Sequence, residues 1–422
     1  MNAQQTNAQP GSGPRPKNMD YAVVIIGAGL VGATLAVGLR RALPADFSIA
    51  LVESRKLAPA GEGRHQQAGD ADVRTTALSM GSCRILHEWG LWDALAAEAQ
   101  PILEIQVSDR GRPGMVRLQA RDHQVPALGY VVSNSQAARL LQGRLLEDAG
   151  ITCLESTRVQ GVRRLCELGP DCMQVETLSG GKVRKLTCSL VILADGGRSG
   201  LASMLGLRLD SRNDGQAAIV SNVIPAGDHN SIAYERFTDE GPLAFLPRSD
   251  GRCALVWTMP ASLAADRMQL SEQDFLAALQ SRFGYRLGRF RSLEARCHWT
   301  LQQGWLREQV RPGLVVLGNA AHSLHPVAGQ GFNLSVRDIQ ELIHQLSRAA
   351  QAGCQLGQLD VLMRYQARRQ QDQHQIMKAS DRLVHSFSSN QAGWVAARTL
   401  GLVGMASLFP LKDWFARRAM GL

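Results

Sequence analysis

The sequence predicts an α/β fold with a parallel sheet, an inserted and mostly antiparallel sheet, and a helical region toward the C-terminal end. Three observations support this prediction. Three apolar segments rich in Val, Leu and Ile each run into glycines and then into a helix-like segment, as strands of a parallel sheet do. Residues 206–299 contain short alternating runs that are typical of antiparallel strands, and helical periodicity dominates beyond residue 345.

Length and composition bound the classes of protein to consider. The chain has 422 residues, more than one hydrophobic core usually serves, so we expect two or three packed units. Residues 1–18 are polar and rich in Pro, Gly and Gln, and they lack the apolar segment of a secretory signal, so we expect disorder there. The net charge of +9 favours an anionic partner. Because Lys and Arg are spread along the chain, a phosphate-bearing cofactor or an anionic membrane surface is favoured over nucleic acid.

The first strand–glycine–helix unit is "YAVVIIGAGLVGATLAVGL", residues 21–39, which carries no charge and approaches the length of a transmembrane helix. β-branched residues crowd its first half and glycines interrupt its middle, which favours a strand over 22–26, a tight turn and a buried helix. In this turn Gly27 permits the tight bend, Gly29 lets the backbone approach a pyrophosphate, and Gly32 lets the helix lie close to the strand. The N–H groups at the start of the helix favour an anion.

A carboxylate follows the second strand of this unit. "FSIALVES" supplies that strand, and Glu53 lies at its end, about 26 residues beyond Gly27, near the spacing of a ribose-binding carboxylate. Such a group accepts hydrogen bonds from both ribose hydroxyls and repels a 2′-phosphate. A solvated charge at a strand end is the alternative for Glu53. The whole unit predicts a Rossmann-like dinucleotide site.

Two later strands also end in glycines. "CSLVILADGGRSG" ends in Asp195-Gly196, with Arg198 and Ser199 opening a short helix, although an ordinary turn would have the same composition. "GLVVLGNAAHSLHPVAGQGFN" ends in a loop that cannot be core, because too many backbone polar groups would be left without partners. Ligands of open parallel sheets lie outside the carboxyl ends of the strands. We therefore expect three strand ends to converge on one large ligand, such as two linked nucleotides with a bulky ring.

Metal and disulfide chemistry have weaker support. His322 and His325 have H-x-x-H spacing, but no third ligand lies nearby in the sequence, so we favour hydrogen bonds that fix the loop. The eight cysteines form no C-x-x-C pair and no zinc spacing, which favours free thiols in a reducing cytosol.

The three segments resemble the three motifs of the class A flavoprotein aromatic hydroxylases, which are GxGxxG, a D-G motif, and a G-D motif followed by P-x-x-G-x-G-x-N. "DVRTTALSMGSCRILHEWGLW", "YERFTDEGPLAFLPRSDGRCALVWT" and "RYQARRQQDQHQIMKASDRLVHSF" resemble the ubiquinone-biosynthesis hydroxylases of that group. The resemblance spans nearly the whole chain from residue 20. It implies a Rossmann-like FAD-binding domain of the glutathione-reductase-like type, with the inserted β-sheet as a substrate domain.

The expected division of the chain has four parts: a disordered N-terminus at 1–18; a discontinuous FAD-binding domain at 20–100, 130–205 and 300–345; a β-sheet substrate domain at 101–129 and 206–299; and a C-terminal helical region at 346–422. Within the substrate domain, Asp250-Gly251 in "FLPRSDGRC" predicts the turn of a β-hairpin.

The resemblance implies contacts with both ends of FAD. The residues expected to hold its AMP half are Gly27, Gly29, Gly32 and Glu53. Those expected near the pyrophosphate are Asp195 and Gly196, which would also help position the nicotinamide cofactor, and Arg74, which would lie near the flavin or the pyrophosphate.

The third motif is expected at the flavin ring. Asn319 stands where the family usually has Asp, so its hydrogen bond to a ribityl hydroxyl would lack a charge. The other expected contacts are Pro326 beside the ring, the N–H groups of Gly329, Gln330 and Gly331 at the N1–C2 edge, and Asn333, which would fix the loop or touch the ring. Donors at that edge suit the negative charge of the reduced flavin.

The implied reaction is hydroxylation of the ring of a polyprenylated phenol in ubiquinone biosynthesis, with NADH or NADPH as electron donor and O2 as co-substrate. The specific expectation is 2-polyprenyl-6-methoxyphenol as substrate and the corresponding 1,4-benzoquinol as product. Alternatives are another ring position of the same pathway, a small soluble phenol, a flavin-dependent isoprenoid reductase, and a non-catalytic scaffold stabilised by FAD. The sequence selects no catalytic base and no metal site.

An isoprenoid tail bears on partners and location. Exposing it costs roughly 0.8 kcal/mol per CH2, so the enzyme needs an apolar groove, a place at the membrane or a lipid-handling partner. Residues 394–422 mix apolar side chains with Arg398, Lys412, Arg417 and Arg418, as an interfacial segment does. The alternative is a helical cap in which Pro410 divides two helices. We expect a biosynthetic complex and the membrane surface as partners, and a cytoplasmic location or one at the inner face of the membrane.

Overall fold

The computed structural model describes residues 19–58, 73–165, 172–323, 330–388, 404 and 409–421. The predicted disorder of residues 1–18 falls outside these ranges. The described strands are, in chain order, β1 (Tyr21–Ile26), β2 (Ile49–Val52), β3 (Thr75–Ser79), β4 (Gln100–Ile102), β5 (Glu104–Asp109), β6 (Met115–Gln119), β7 (Gly129–Ser133), β8 (Ile151–Leu154), β9 (Arg158–Arg164), β10 (Met173–Ser179), β11 (Lys182–Leu193), β12 (Leu209–Pro225), β13 (Ile232–Phe237), β14 (Pro242–Pro247), β15 (Cys253–Pro260), β16 (Phe290–Leu293), β17 (Cys297–Leu306), β18 (Val310–Arg311), β19 (Leu314–Val316) and β20 (His322–Ser323). The helices are α1 (Leu30–Ala42), α2 (Met80–Glu88), α3 (Trp92–Ala96), α4 (Asn134–Glu147), α5 (Leu201–Met204), α6 (Ala261–Met268), α7 (Glu272–Phe283), α8 (Gln330–Gln351), α9 (Leu359–Ser388) and α10 (Phe409–Met420).

The first sheet contains the predicted parallel strands, which are β19, β11, β1, β2 and β8, whereas β18, β10 and β9 pair antiparallel. Its order is β18-β19-β11-β1-β2-β8, with β10 pairing with β11 and β9. The charge-free β1 is its centre, since Val23, Val24 and Ile25 are fully buried. The stretch 21–39 is thus a strand, a turn and a helix, as predicted. Among the described helices, none is long and apolar enough to cross a membrane.

Helices cover the parallel sheet, and glycine sets how closely they pack. A Cβ added at Gly38 of α1 would lie 2.5 Å from Cδ1 of Ile343 on α8, so the small residue permits this close approach. Leu35 and Leu39 of α1 are fully buried in the same core as Leu342 of α8. α1 follows β1 of this sheet, and α8 follows β19 of this sheet by way of the two-residue β20.

The second sheet has nine strands in the order β20-β17-β12-β15-β14-β13-β5-β6, with β16 beside β12. It is antiparallel except for the parallel pair β13–β5. The predicted hairpin is confirmed as β14–β15, and Gly251 in its turn has φ +76°, a conformation that glycine adopts without strain. The sheet includes residues 297–306 and 322–323, so it continues beyond the expected boundary at 299.

The two faces of this sheet have different coverings. One face packs against α6 and α7 through an aromatic core, in which Phe245, Trp257 and Phe275 are fully buried. The other face meets a small sheet of order β3-β7-β4, where Ala233 packs with Ile102 and Val131. The small sheet therefore lies between the second sheet and the helices α2 and α8 of the first.

The described C-terminal helix α10 packs as a cap on this assembly. Ala416 and Met420 are buried against Val116 and Leu118 of β6. The Nζ of Lys412 lies 3.2 Å from Oδ2 of Asp122, and Nδ1 of His123 lies 2.6 Å from Oδ1 of Asp413. These contacts favour a cap for 412–420. Pro410 lies in the first turn of α10, where a missing N–H is tolerated.

Candidate functional site

A cavity of about 1000 Å³ opens at the carboxyl ends of the parallel strands. Ile26, Val52, Leu193 and Val316 end four neighbouring strands in register, and the loops that follow them form the cavity wall. The predicted site residues that line it together are Gly27, Gly29, Glu53, Arg74, Asp195, Gly196, Asn319 and Gly331. The convergence of three distant glycine-bearing loops is therefore a property of the fold.

In the first glycine loop, close contacts require glycine at two of the three positions. Gly27 has φ +103°, and a Cβ there would lie 2.8 Å from the carbonyl oxygen of Ala194. A Cβ on Gly32 would lie 1.9 Å from the carbonyl oxygen of Gly27, so the helix could not approach the strand. Around Gly29, at the N-cap of α1, an added Cβ meets nothing within 4 Å. Gly29 thus leaves space on the cavity side, where the helix N-terminus attracts an anion.

Glu53, the expected ribose-binding carboxylate, is hydrogen-bonded to the first glycine loop. Its Oε2 accepts a hydrogen bond of 2.8 Å from the N–H of Ala28, and its Oε1 accepts one of 3.0 Å from the N–H of Arg55. The carboxylate also lines the cavity. Glu53 therefore stabilises the loop. The hydroxyls of a bound ribose would donate to the same carboxylate oxygens that accept from the main-chain N–H groups.

Asp195 has a similar role in the second loop. Its Oδ1 accepts from the N–H of Gly197 and its Oδ2 from the N–H of Ser199, each at 2.9 Å. The hydroxyl of Ser199 also donates to Oδ2. Gly196 and Gly197 have φ of +70° and +77°, which this tight turn requires. Asp195 thus shapes the turn, and the flanking Arg198 supplies positive charge to the cavity.

The cavity wall is more positive than negative. The basic residues that line it are Arg55, Lys56, Arg74, Arg158 and Arg198, whereas its acidic residues are Glu53 and Asp195. Both acidic groups already accept two or more hydrogen bonds from nearby protein donors. The wall therefore favours a ligand with negative charges, such as a pyrophosphate.

Some residues of the site belong to no sequence motif and could not be predicted from the sequence. The Nε2 of Gln142 donates to the carbonyl oxygen of Ala28 at 3.2 Å, and its Oε1 accepts from the N–H of Ala58 at 3.1 Å. Gln142 is one of several polar residues on α4, and only tertiary contact selects it. The guanidinium carbon of Arg74 lies 4.9 Å from the ring centre of Trp299, a cation–π contact with the second sheet.

The third loop is described at both ends. Asn319 and Gly331 line the cavity, the latter from the first turn of α8. Pro326, Gly329 and His325 lie outside the described residues, and of Gln330 only its place at the start of α8 is described.

Asn333 is buried and faces β3. Its Oδ1 accepts from the N–H of Ser79, and its Nδ2 donates to the carbonyl oxygen of Ala77, both at 2.8 Å. It is absent from the described cavity lining. Asn333 therefore ties the start of α8 to β3.

A buried ionic cluster supports the far side of the same loop. Oδ2 of Asp338 lies 2.6 Å from Nε2 of His322, and its Oδ1 accepts from Nε of Arg369 at 2.6 Å. Gln373 donates to the same carboxylate at 3.0 Å. Burial alone would raise the pKa of Asp338, but the hydrogen bonds and charges of His322 and Arg369 hold it below its ordinary value. His322 thus joins β20 to α8, as the hydrogen-bonding hypothesis predicted.

The described residues also bear on metal and disulfide chemistry. Among them, no group of three or more His, Cys, Asp or Glu could hold a metal ion. The described cysteines, all except Cys166, carry free thiols. Burial raises the pKa of Cys83 to about 12, so this thiol stays protonated.

The chain is similar to known flavoproteins over most of its length. A family model described as FAD binding domain matches residues 20–380. A ubiquinone hydroxylase, UbiL, of Rhodospirillum rubrum is 35% identical over 400 residues, which cover 94% of this chain and 89% of that protein. The 3-demethoxyubiquinol 3-hydroxylase of Escherichia coli is 30% identical over 406 residues, which cover 96% of this chain and 100% of that protein.

Among solved structures, p-nitrophenol 4-monooxygenase PnpA of Pseudomonas putida superposes with a TM-score of 0.75. The superposition covers 95% of this chain and 98% of that one, at 16% sequence identity. At this identity the likeness concerns the fold alone.

Proposed function

Since this chain belongs to the FAD binding domain family, and within it to the flavin-dependent ubiquinone-biosynthesis hydroxylases, we propose that it hydroxylates the aromatic ring of a polyprenylated phenol with NADH or NADPH and O2. The proposed substrate is 2-polyprenyl-6-methoxyphenol, and the product is the corresponding 1,4-benzoquinol. The balance is one phenol, one O2, one NAD(P)H and one proton giving one hydroxylated ring, one water and one NAD(P)⁺.

The observation that carries the cofactor assignment is the shared cavity of the three glycine-bearing loops. Open space at Gly29, the N-terminus of α1 and an excess of basic side chains suit a dinucleotide pyrophosphate. We assign the AMP half of FAD to the loop of Gly27 and to Glu53, and the pyrophosphate to Arg74 and the Asp195 turn. When bound, FAD supplies the redox and oxygen chemistry of the reaction.

The residues around the third loop would position the ring end of the cofactor. α8 is a helix of 22 residues whose first turn lines the cavity, and its N–H groups favour negative charge there. We assign the flavin edge to this turn, with Gly329 to Gly331 as donors and Pro326 beside the ring. Asn319 would reach the ribityl chain, and Asn333 would keep the turn in place through β3.

The second sheet is the proposed substrate side of the molecule. We divide the chain into an FAD-binding domain built on the parallel sheet, a substrate domain built on the nine-stranded sheet, and a C-terminal helical region. The apolar tail of the substrate requires a site that excludes water, or delivery from a membrane. We accordingly propose a location in the cytoplasm or at the inner face of the membrane, with a ubiquinone-biosynthesis complex as partner and no nucleic acid.

A second ring position is the rival reaction. The E. coli relative carries the name 3-demethoxyubiquinol 3-hydroxylase, so its name places the new hydroxyl on ring carbon 3. This name supports a hydroxylase of the same pathway that acts at another carbon of a later intermediate.

Oxygen consumption tests the proposal. Purified protein should be yellow with bound FAD, and NADH or NADPH oxidation should consume O2 faster when 2-geranyl-6-methoxyphenol is added. Mass spectrometry should show a product heavier by one oxygen atom, and the fragment pattern locates it. Protein that takes up no FAD, or that oxidises NAD(P)H without ring oxygenation, would refute the proposal. In cells that lack the protein, the accumulated intermediate identifies the step.

A further inference from the structure

The carboxylate of Glu235, which has no hydrogen-bonding partner among the residues that the structure describes, lies on the second sheet, on the face away from α7. Side chains alternate along a strand, and Tyr234 of β13 packs on Phe283 of α7 with ring centres 5.4 Å apart. Its neighbours Ala233 and Glu235 therefore belong to the opposite face. Ala233 packs there with Val131 of the small sheet.

Strand pairing places this carboxylate in a row of small side chains. Directly opposed residues share a face, so Glu235 of β13 continues into Ala244, Val256, Val220 and Cys297 on successive strands. Glu235, Ala244, Val256 and Cys297 are each partly exposed although the row crosses the middle of a nine-stranded sheet, and Val220 is buried. Glu235 supplies the row with its one ionisable carboxylate.

Both ends of this face are joined to the cofactor cavity. Two residues beyond Cys297 on the same strand, Trp299 lies beneath Arg74, which lines the cavity. Ala233 shares a cluster with Val131, which pairs with Ala77, and the carbonyl oxygen of Ala77 accepts from Asn333 at the start of α8. The face with Glu235 is therefore the face of the second sheet that meets the cavity walls.

Among the described residues, none is hydrogen-bonded or ion-paired to the carboxylate of Glu235. Burial is the cause that raises its pKa from 4.5 to about 7. Four pairs of charged groups on the elements around this face are bound to one another: Asp109 to Arg112 at 3.1 Å, Arg248 to Asp250 at 2.9 Å, Lys412 to Asp122 at 3.2 Å, and Asp413 to His123 at 2.6 Å. Arg236 extends to the opposite face, where it donates to the carbonyl oxygen of Arg282.

We propose that Glu235 is the catalytic residue that takes the proton of the substrate's phenol hydroxyl, with the aromatic ring lying on the row of small side chains. This assignment rests on the proposed function. The phenol O–H bond breaks, the proton bonds to a carboxylate oxygen of Glu235, and the electron pair stays on the phenol oxygen. The phenolate is richer in electrons at its ortho and para carbons, which the incoming electrophilic oxygen requires. A base whose protonation state changes near neutral pH suits this step.

The test compares pH profiles of Glu235→Gln, Glu235→Asp and the wild type, as FAD-bound full-length protein with 2-geranyl-6-methoxyphenol. For the wild type, kcat/KM should rise as pH increases through about 7. For Glu235→Gln it should be at least about 100-fold lower at pH 7.5, the usual contribution of a general base. Its rate should recover only toward pH 10, where a phenol ionises by itself. Glu235→Asp should keep the rise near pH 7 at a lower plateau.

Two measurements separate this role from a structural one. Glu88→Gln, which removes an exposed carboxylate at the end of α2, should match the wild type. FAD content of Glu235→Gln should equal that of the wild type. A Glu235→Gln enzyme that keeps its rate, or that is slow but keeps the rise near pH 7, would overturn the assignment and leave the proposed function standing. Wild-type enzyme that does not hydroxylate the phenol would overturn both.

Discussion

Asn333 on α8 accepts a hydrogen bond from the N–H of Ser79 and returns one to the carbonyl oxygen of Ala77, each at 2.8 Å. One amide thus provides hydrogen-bonding partners for the edge of β3 that no strand pairs with, and it fixes the first turn of α8. The two residues are 254 positions apart in the chain. The relationship connects the cofactor cavity to the small sheet, and it makes the start of α8 sensitive to a single side chain.

We expect Asn333→Ala to loosen this connection. It leaves a buried N–H and a buried carbonyl without partners, which should lower the free energy of unfolding by about 1–3 kcal/mol and weaken FAD binding. Gln351→Ala, at the exposed far end of the same helix, is the control. Urea unfolding and FAD titration measure both effects, and equal FAD affinities for the two variants would show that Asn333 does not position the turn.

The two alanine variants of the first glycine loop should fail in different ways. Gly32→Ala would bring Cβ to 1.9 Å from the carbonyl oxygen of Gly27, so α1 must move, and we expect a stability loss of at least about 2 kcal/mol. Gly29→Ala meets no protein atom within 4 Å, so the protein should fold normally but bind FAD at least about tenfold more weakly. Thermal unfolding with and without FAD distinguishes them. A Gly29→Ala protein with full FAD affinity would contradict the site assignment.

The ionic cluster predicts sensitivity to acid. The folded state holds the pKa of Asp338 below its ordinary value, so this group stabilises the fold above the unfolded pKa of about 4 and loses that contribution as pH falls through the folded value. Asp338→Asn removes one of the two carboxylates that bind the buried Arg369, the other being Asp372 at 2.5 Å, and should cost about 3 kcal/mol at pH 7. Asp360→Asn, exposed in the first turn of α9, should cost less than about 1 kcal/mol. Unfolding curves at pH 7 and at about pH 2–3, below the unfolded pKa, test whether the difference between the variants narrows in acid.

Glu235 predicts a pH effect of the opposite sign. Its folded pKa is about 7 against 4.5 for the ordinary group, so the folded state binds the proton more tightly and stability falls as pH rises between these values. Removing the carboxylate should therefore stabilise the protein at pH 8, by about 1–3 kcal/mol. We expect Glu235→Gln to have the higher unfolding midpoint at pH 8 and an equal midpoint at pH 4.5. A lower midpoint at pH 8 would mean that the ionised carboxylate has a stabilising partner.

Sequence could predict the cofactor edge of the fold because each part of it is local. Gly27 adopts a positive φ in the turn of its own strand–turn–helix unit, Gly32 contacts Gly27 within that unit, and Asp195 closes a turn with the residues that follow it. The same cannot be said of Gln142 or Trp299. They lie on elements whose sequences contain no motif, and only the packing of those elements against the site brings them there.

The extent of the second sheet was harder to predict for a related reason. β17 is largely exposed over its first half, and the polar "QQG" that follows interrupts its alternation of apolar and polar residues. It is a strand because β12, which has 17 residues, offers a long edge for pairing. Glu235 escaped prediction because an acidic residue in "YERF" has the pattern of a solvated position. Its surroundings are known only when β13 is placed between β5 and β14.

A short stretch of chain belongs to both large sheets in turn. Leu314–Val316 pairs within the parallel sheet, and His322, six residues later, pairs with Trp305 in the antiparallel one before α8 begins. Because so few residues connect the two strand pairings, a large displacement of either sheet must also displace the other. We therefore expect substrate binding on the antiparallel sheet to displace the loops that line the cofactor cavity at the end of the parallel sheet.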